Sequence, residues 1–266
     1  MWPAFPPDQL VVFFLIFFRI LAVLMLLPVF SARTVYDPAK LGLAFFMAIV
    51  TTSFLQGHDA MPLANDVPMD FGGLVLAIAG EIFLGVTMGF VVTVAIDAIN
   101  YAGNVAGFEM GLTVANAIDP SSGLQNSIIS NFYVMFASMI FIVTGLYLKF
   151  VEGIVASFLK VGPGQAIVSA GSLTTLTDLG GTIFVGAVSI GAPWIIVLLL
   201  AKVSLGLMAR TFPQMNVFFV GFPLTIGLGL VIFAVSLPFA YAAIYATLEG
   251  SLTPFWTVIK AAAPGS

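Results

Sequence analysis

Residues 97–126 read D-A-I-N-Y-A-G-N-V-A-G-F-E-M-G-L-T-V-A-N-A-I-D-P-S-S-G-L-Q-N, a block set between two membrane-length apolar runs. It holds three carboxylates, four Gly, one Pro and several Asn, yet no Lys or Arg. Hydrocarbon does not accept such a stretch as irregular backbone. Polar backbone at membrane depth persists only where protein buries it or where it lines a wet cavity. The block therefore marks the working part of the chain, a conduit, gate or binding site rather than a plain anchor.

The rest of the chain sets that block in a membrane. Of 266 residues 61% are hydrophobic and 8% charged, and the mean hydropathy is +1.15. Soluble domains carry roughly 25% charged residues, and a compact soluble chain could not hide this much apolar surface. Six apolar runs, 10–30, 41–55, 71–96, 128–148, 182–201 and 217–248, approach or exceed the about 20 residues that span a bilayer. The last is interrupted by Pro223 and Pro238, and a Gly/Ser/Thr-rich loop is expected over 162–181. Asp8 sits where a cleaved signal would be basic, so the first run is read as a retained helix. The expectation is an all-α, multi-helix integral membrane protein of helical hairpins with a re-entrant, plug-like loop. Residues 1–266 are read as one membrane-embedded domain with no soluble domain.

Charge excludes several functions. The net charge is −4 and no basic stripe exists, so nucleic acid is not an expected partner. With no Cys and a single His, His58, neither disulfides nor thiolate metal sites can form, and no cofactor is expected. Counting basic residues places the turn with Arg33 and Lys40 in the cytoplasm and the loop with Asp59, Asp66 and Asp70 outside. The count then fails. Lys149 and Lys160 fall outside if the polar block does not cross, and Lys202 and Arg210 if it does. Either some apolar helices pack on other protein subunits, or the rule, being statistical, has met an exception.

Two charges lie inside apolar runs. Arg19 sits in L-I-F-F-R-I-L-A-V-L and Glu81 in I-A-G-E-I-F-L-G. Each costs about 3 kcal/mol at a bilayer centre, so each needs a partner or a wet surrounding. Arg19, Glu81, Lys202 and Arg210 are assigned to pairing between helices or subunits. Gly85 and Gly89 form one G-x-x-x-G, and Gly103, Gly107 and Gly111 two more in series, spacings that let another helix approach closely. Beside them Asp97, Asn100 and Asn104 fall on one polar face. Helix is expected to fail near Asp119-Pro120-Ser121-Ser122-Gly123, where turn formers surround a proline. Further on, Asn216 and two prolines, Pro213 and Pro223, punctuate the entry to the last hydrophobic hairpin.

Three stretches together resemble the FliR family of the flagellar type III protein export gate. They are L-L-P-V-F-S-A-R-T-V with the following L-G-L-A (26–44), E-I-F-L-G-V-T-M-G-F through F-E-M-G-L-T-V-A-N-A-I-D-P-S-S-G (81–123), and P-Q-M-N-V-F-F-V-G-F-P-L-T-I (213–226). The resemblance covers nearly the whole chain, and V-G-F-P-L after N-V-F leans flagellar rather than toward the injectisome homologues. It implies a structural subunit of the bacterial inner membrane, at the flagellar basal body. That subunit would join FliP and FliQ in a closed helical gate, with FlhB at its entrance, FlhA as a further partner and unfolded flagellar proteins as cargo. It would have no catalytic role. The resemblance also implies a channel plug at Gly107, Phe108, Glu109, Met110, Gly111, Leu112, Thr113, Val114, Ile118, Asp119, Pro120 and Gly123.

Two other classes compete on the residues alone. Broken helices and buried charges also mark secondary transporters, although no internal repeat is found. An intramembrane enzyme is disfavoured, since no H-E-x-x-H, nucleophile elbow or metal cluster occurs.

Overall fold

The computed structural model describes residues 7–27, 36–57, 70–112, 127–166, 170–212, 214 and 216–263. All regular structure among them is helical. In chain order the helices are α1 (Pro7–Leu26), α2 (Asp37–Gly57), α3 (Phe71–Met110), α4 (Ile128–Val143), α5 (Leu146–Lys160), α6 (Ala170–Thr211), α7 (Val217–Gly250) and α8 (Leu252–Ala261). Five apolar stretches among the described residues are long enough to cross a membrane: α1, α2, α3, most of α6, and α7 running into α8. A sixth is added if α4 and α5, which meet at 68°, count as one broken span. Gly145, at φ 71° in the left-handed region, makes that break.

The structure departs from the sequence reading at four places, each for a physical reason. The apolar run at 71–96 continues as one helix through the polar face of Asp97, Asn100 and Asn104 and ends at Met110, ahead of the break placed near Asp119-Pro120. Its Asn side chains find partners on helices, and its Gly serve close packing rather than turns. Residues 128–148 do not form one run, because Gly145 interrupts them. The Gly/Ser/Thr-rich loop expected over 162–181 is already helical from Ala170, and that helix runs on past Lys202 and Arg210 to Thr211. Pro193 lies within α6, and Pro223 and Pro238 within an unbroken α7. A proline removes one backbone bond. Breaking the helix in hydrocarbon would orphan several more, so the helix persists.

The chain divides into two compact units. The first comprises residues 1–94, 145–180 and 250–266, the second 95–144 and 181–249. In the first, α1 packs along α2, and α5 touches both α2 and α8. Gly153 of α5 leaves room for Phe255 of α8, whose ring also meets Phe150 edge-on at 5.1 Å. In the second, buried Tyr133 and Trp194 of α4 and α6 meet the half-buried Phe233 of α7 in an aromatic knot with ring centroids 5.4–6.1 Å apart.

Burial is uneven among the long helices. In α3, 67% of the membrane-length stretch is buried, against 28% in α6 and 22% in α7 running into α8. Phe184, Val188, Leu200 and Val203 of α6 and Phe219, Val231 and Val235 of α7 are exposed. A coat of this kind requires lipid or other protein to cover it.

Candidate functional site

The charges stranded in the apolar runs come together in the first unit. Arg19 of α1 donates from Nε to Glu81 Oε2 at 2.5 Å and from Nη2 to Oε1 at 2.9 Å, with both side chains fully buried. The other donors of the guanidinium reach Ser157 Oγ at 3.2 Å and the carbonyl oxygen of Val161 at 3.0 Å. Glu81 also accepts from the Gly164 N–H at 2.7 Å, and the Phe158 ring lies 4.2 Å from the guanidinium carbon. A buried ion pair is tolerated when its remaining lone pairs and protons are satisfied, and here the end of α5 satisfies them. Ser157, Phe158, Val161 and Gly164 carry no sequence signal for this role, since none is charged or unusual where it stands.

The first glycine pair explains how α1 comes so close. A Cβ on Gly85 would lie 2.6 Å from the Arg19 carbonyl oxygen and 2.7 Å from Ala22 Cβ, and one on Gly89 would lie 2.7 Å from Leu26 Cβ. Thr93 then donates to the Leu26 carbonyl at 2.9 Å.

In the second unit the same device recurs between α3 and α4. A Cβ on Gly103 would run into Ser130, and one on Gly107 into Ser127. Along this seam Asn104 Nδ2 donates to Asn100 Oδ1 at 2.9 Å, Ser130 Oγ donates to the same oxygen, and the Ser127 N–H donates to Asn104 Oδ1 at 3.1 Å. Ser127 also caps α4 by accepting from the Ile129 N–H at 3.3 Å. Asp97 stays outside this network and is exposed.

Helix α3 ends against α7. Met110 is fully buried, and its side chain fills the space a Cβ on Gly229 would need. The hydroxyl of Thr225 lies 3.1 Å from the Met110 carbonyl oxygen, an acceptor that the helix end leaves without an intrahelical partner. Gly111 follows at φ +86°, a left-handed helix cap, where an added Cβ would lie 2.8 Å from the Phe222 ring edge. Leu112 N–H donates to the Gly107 carbonyl at 3.0 Å and closes the turn.

Of the residues read as a plug, Gly107, Phe108, Glu109 and Met110 thus form the last turn of α3, and Gly111 and Leu112 form the cap. Thr113, Val114, Ile118, Asp119, Pro120 and Gly123 lie outside the described residues. Phe108 is exposed, and Glu109 accepts from Lys202 Nζ of α6 at 2.6 Å. Arg210 is exposed and makes no ion pair among the described residues. Asn216 lies in the turn before α7, where its carbonyl accepts from the Phe219 N–H at 3.0 Å. No group of three or more His, Asp and Glu that could hold a metal occurs among the described residues.

Membrane-length helices, helix seams built on Gly, and a capped helix end between two unbroken apolar helices define an all-helical membrane-embedded protein. Residues 10–250 match the family described as "Bacterial export proteins, family 1". Similar proteins include three flagellar biosynthetic proteins FliR. The protein of Escherichia coli (strain K12) is 32% identical over 83% of this chain and 82% of its own length. That of Pectobacterium carotovorum subsp. carotovorum is 30% identical over 85% and 84%, and that of Bacillus subtilis (strain 168) 30% identical over 86% of each. The chain belongs to the FliR family of bacterial export proteins. It is a protein of the bacterial inner membrane, at the flagellar basal body, within the flagellar export apparatus.

Proposed function

We infer that this chain is a structural subunit of the flagellar type III protein export gate, and that residues 107–123 close its channel at rest. Unfolded flagellar proteins would pass when that segment moves aside. FliP and FliQ are the expected neighbours within the gate, with FlhB and FlhA beside it and membrane lipid around it. Residues 1–266 would act there as one export-gate domain. The observation that carries this reading is the family match along nearly the whole chain. The apolar coat of α6 and α7 supports it, being wider than the chain's own packing covers.

The approach to the segment suits a closure. Met110 is flexible and fills an irregular gap beside Gly229. Gly111 redirects the chain out of the helix in a conformation that other residues adopt at a cost. The relatives reported above are flagellar, which favours the flagellar apparatus over the injectisome.

Two measurements test the proposal. Deleting residues 111–117 is expected to raise proton leak in cells that assemble the gate, and an unchanged proton conductance would refute the closure. Affinity purification from native membranes is expected to bring down FliP and FliQ. Recovery of a functional chain alone, or only as a homo-oligomer, would refute the subunit assignment and favour a secondary transporter.

A further inference from the structure

The aromatic knot of the second unit also carries polar atoms. Tyr133 of α4 is 0% exposed, Trp194 of α6 1% and Ser236 of α7 7%, and each lies within an apolar run. The Tyr133 hydroxyl stands beside both Trp194 and Ser236. Yet neither that hydroxyl nor Trp194 Nε1–H makes a hydrogen bond among the described residues. Ser236 Oγ directs its own proton to the Phe233 carbonyl oxygen, at 3.4 Å.

A polar atom buried among membrane helices without a partner is costly, because no bulk water is at hand to satisfy it. Here two such atoms stand side by side on different helices. The indole N–H can only donate, and the phenol can donate as well as accept. What serves both is small and able to accept. An anion would add an unpaired charge, and the knot of Tyr133, Trp194, Phe233 and Ser236 contains no cation to balance it. A water molecule takes two donors on its oxygen, passes a proton onward and remains neutral.

We propose that one ordered water molecule is built into the fold between α4, α6 and α7. It accepts from Trp194 Nε1–H and from the Tyr133 O–H, and it donates to Ser236 Oγ. Through the Ser236 proton the bridge ends on the backbone of α7. Its position gives it a structural task. Trp194 follows Pro193 in α6, and Ser236 lies two residues before Pro238 in α7. Each proline removes one backbone bond from its helix, so the water braces both helices beside their incomplete ladders. The site is independent of any closure by residues 107–123.

Tyr133→Phe deletes one hydroxyl and keeps the ring, which gives the test a sign. In the chain purified with its neighbouring subunits, this variant is expected to lower the thermal midpoint by about 2–4 °C, the shift for one lost hydrogen bond in a chain of this size. An unsatisfied hydroxyl is better removed, so a midpoint that rises or stays unchanged would overturn the site. A map of the wild-type complex fine enough to show ordered water is expected to hold one solvent peak within hydrogen-bond distance of Tyr133 Oη and Trp194 Nε1. Direct bonding of Trp194 to Tyr133 with no such peak would overturn the water even if the midpoint falls. The map needs no variant, so it decides the matter should Tyr133→Phe fail to assemble.

Discussion

Arg19 and Glu81 meet in a two-pronged contact, 2.5 and 2.9 Å long, with neither side chain reached by solvent. Because the end of α5 supplies the remaining partners, this single contact joins three helices. Its strength depends on completeness.

Removing one member strands the other. Arg19→Ala or Glu81→Gln is expected to destabilise the protein by about 3–5 kcal/mol, the usual cost of an uncompensated buried charge. The double variant Arg19→Leu with Glu81→Leu is expected to recover part of that loss but not all of it, since the Gly164 N–H would still lack its acceptor. Membrane abundance and thermal unfolding in detergent check both expectations. A double variant no more stable than either single one would show that neutralisation is not what matters.

At Gly85 the obstacle is steric. An added methyl would lie 2.6 Å from the Arg19 carbonyl, so Gly85→Ala must push α1 away, at about 1–3 kcal/mol. Gly206 of α6 meets nothing within 4 Å in this chain, and Gly206→Ala is expected to be neutral or to stabilise by up to about 1 kcal/mol. Unfolding midpoints of the two purified variants should therefore move in opposite directions, or one of them not at all.

Gly111 stands in the left-handed region, so Gly111→Ala is expected to cost about 1–2 kcal/mol from backbone conformation alone. Trimming the neighbouring ring with Phe222→Ala relieves the contact but not the dihedral. The double variant should therefore remain impaired in a motility assay. Full recovery of swimming would mean that only the ring mattered.

Asn104 links the seam of α3 and α4 to the cap of α4. Asn104→Leu is expected to cost about 1–3 kcal/mol by leaving the Ser127 N–H without its acceptor. Asn104→Asp keeps that acceptor while losing the donation to Asn100, and should fall between wild type and Asn104→Leu. Hydrogen exchange at the start of α4 reports the difference directly. Equal protection in the two variants would contradict this account.

Some of this arrangement is legible in the chain and some is not, and the division is physical. Charges at positions 19 and 81 stand out because hydrocarbon makes them costly, but nothing local says that they meet each other or that α5 completes them. The spacing of Gly85 and Gly89 announces a close approach without naming α1 as the partner. Asn100 and Asn104 announce a polar face, and their real partners, Ser127 and Ser130, are too ordinary to attract notice. Composition misleads at residues 170–181, where Gly, Ser and Thr suggest loop. Those propensities were set in water, where backbone freed from a helix is hydrated; a membrane removes that alternative. The same reason keeps α7 whole through Pro223 and Pro238. The pairing of Glu109 with Lys202 spans 93 residues and leaves no pattern within either helix.

The sealed contact between α1 and α3 also dictates an order of events during synthesis. Arg19 leaves the ribosome 62 residues ahead of Glu81. Throughout that interval a lone guanidinium released into lipid would cost about 3 kcal/mol. Only the arrival of the third helix removes that cost, so joint entry of the first three helices is the order that the Arg19–Glu81 contact favours over entry helix by helix.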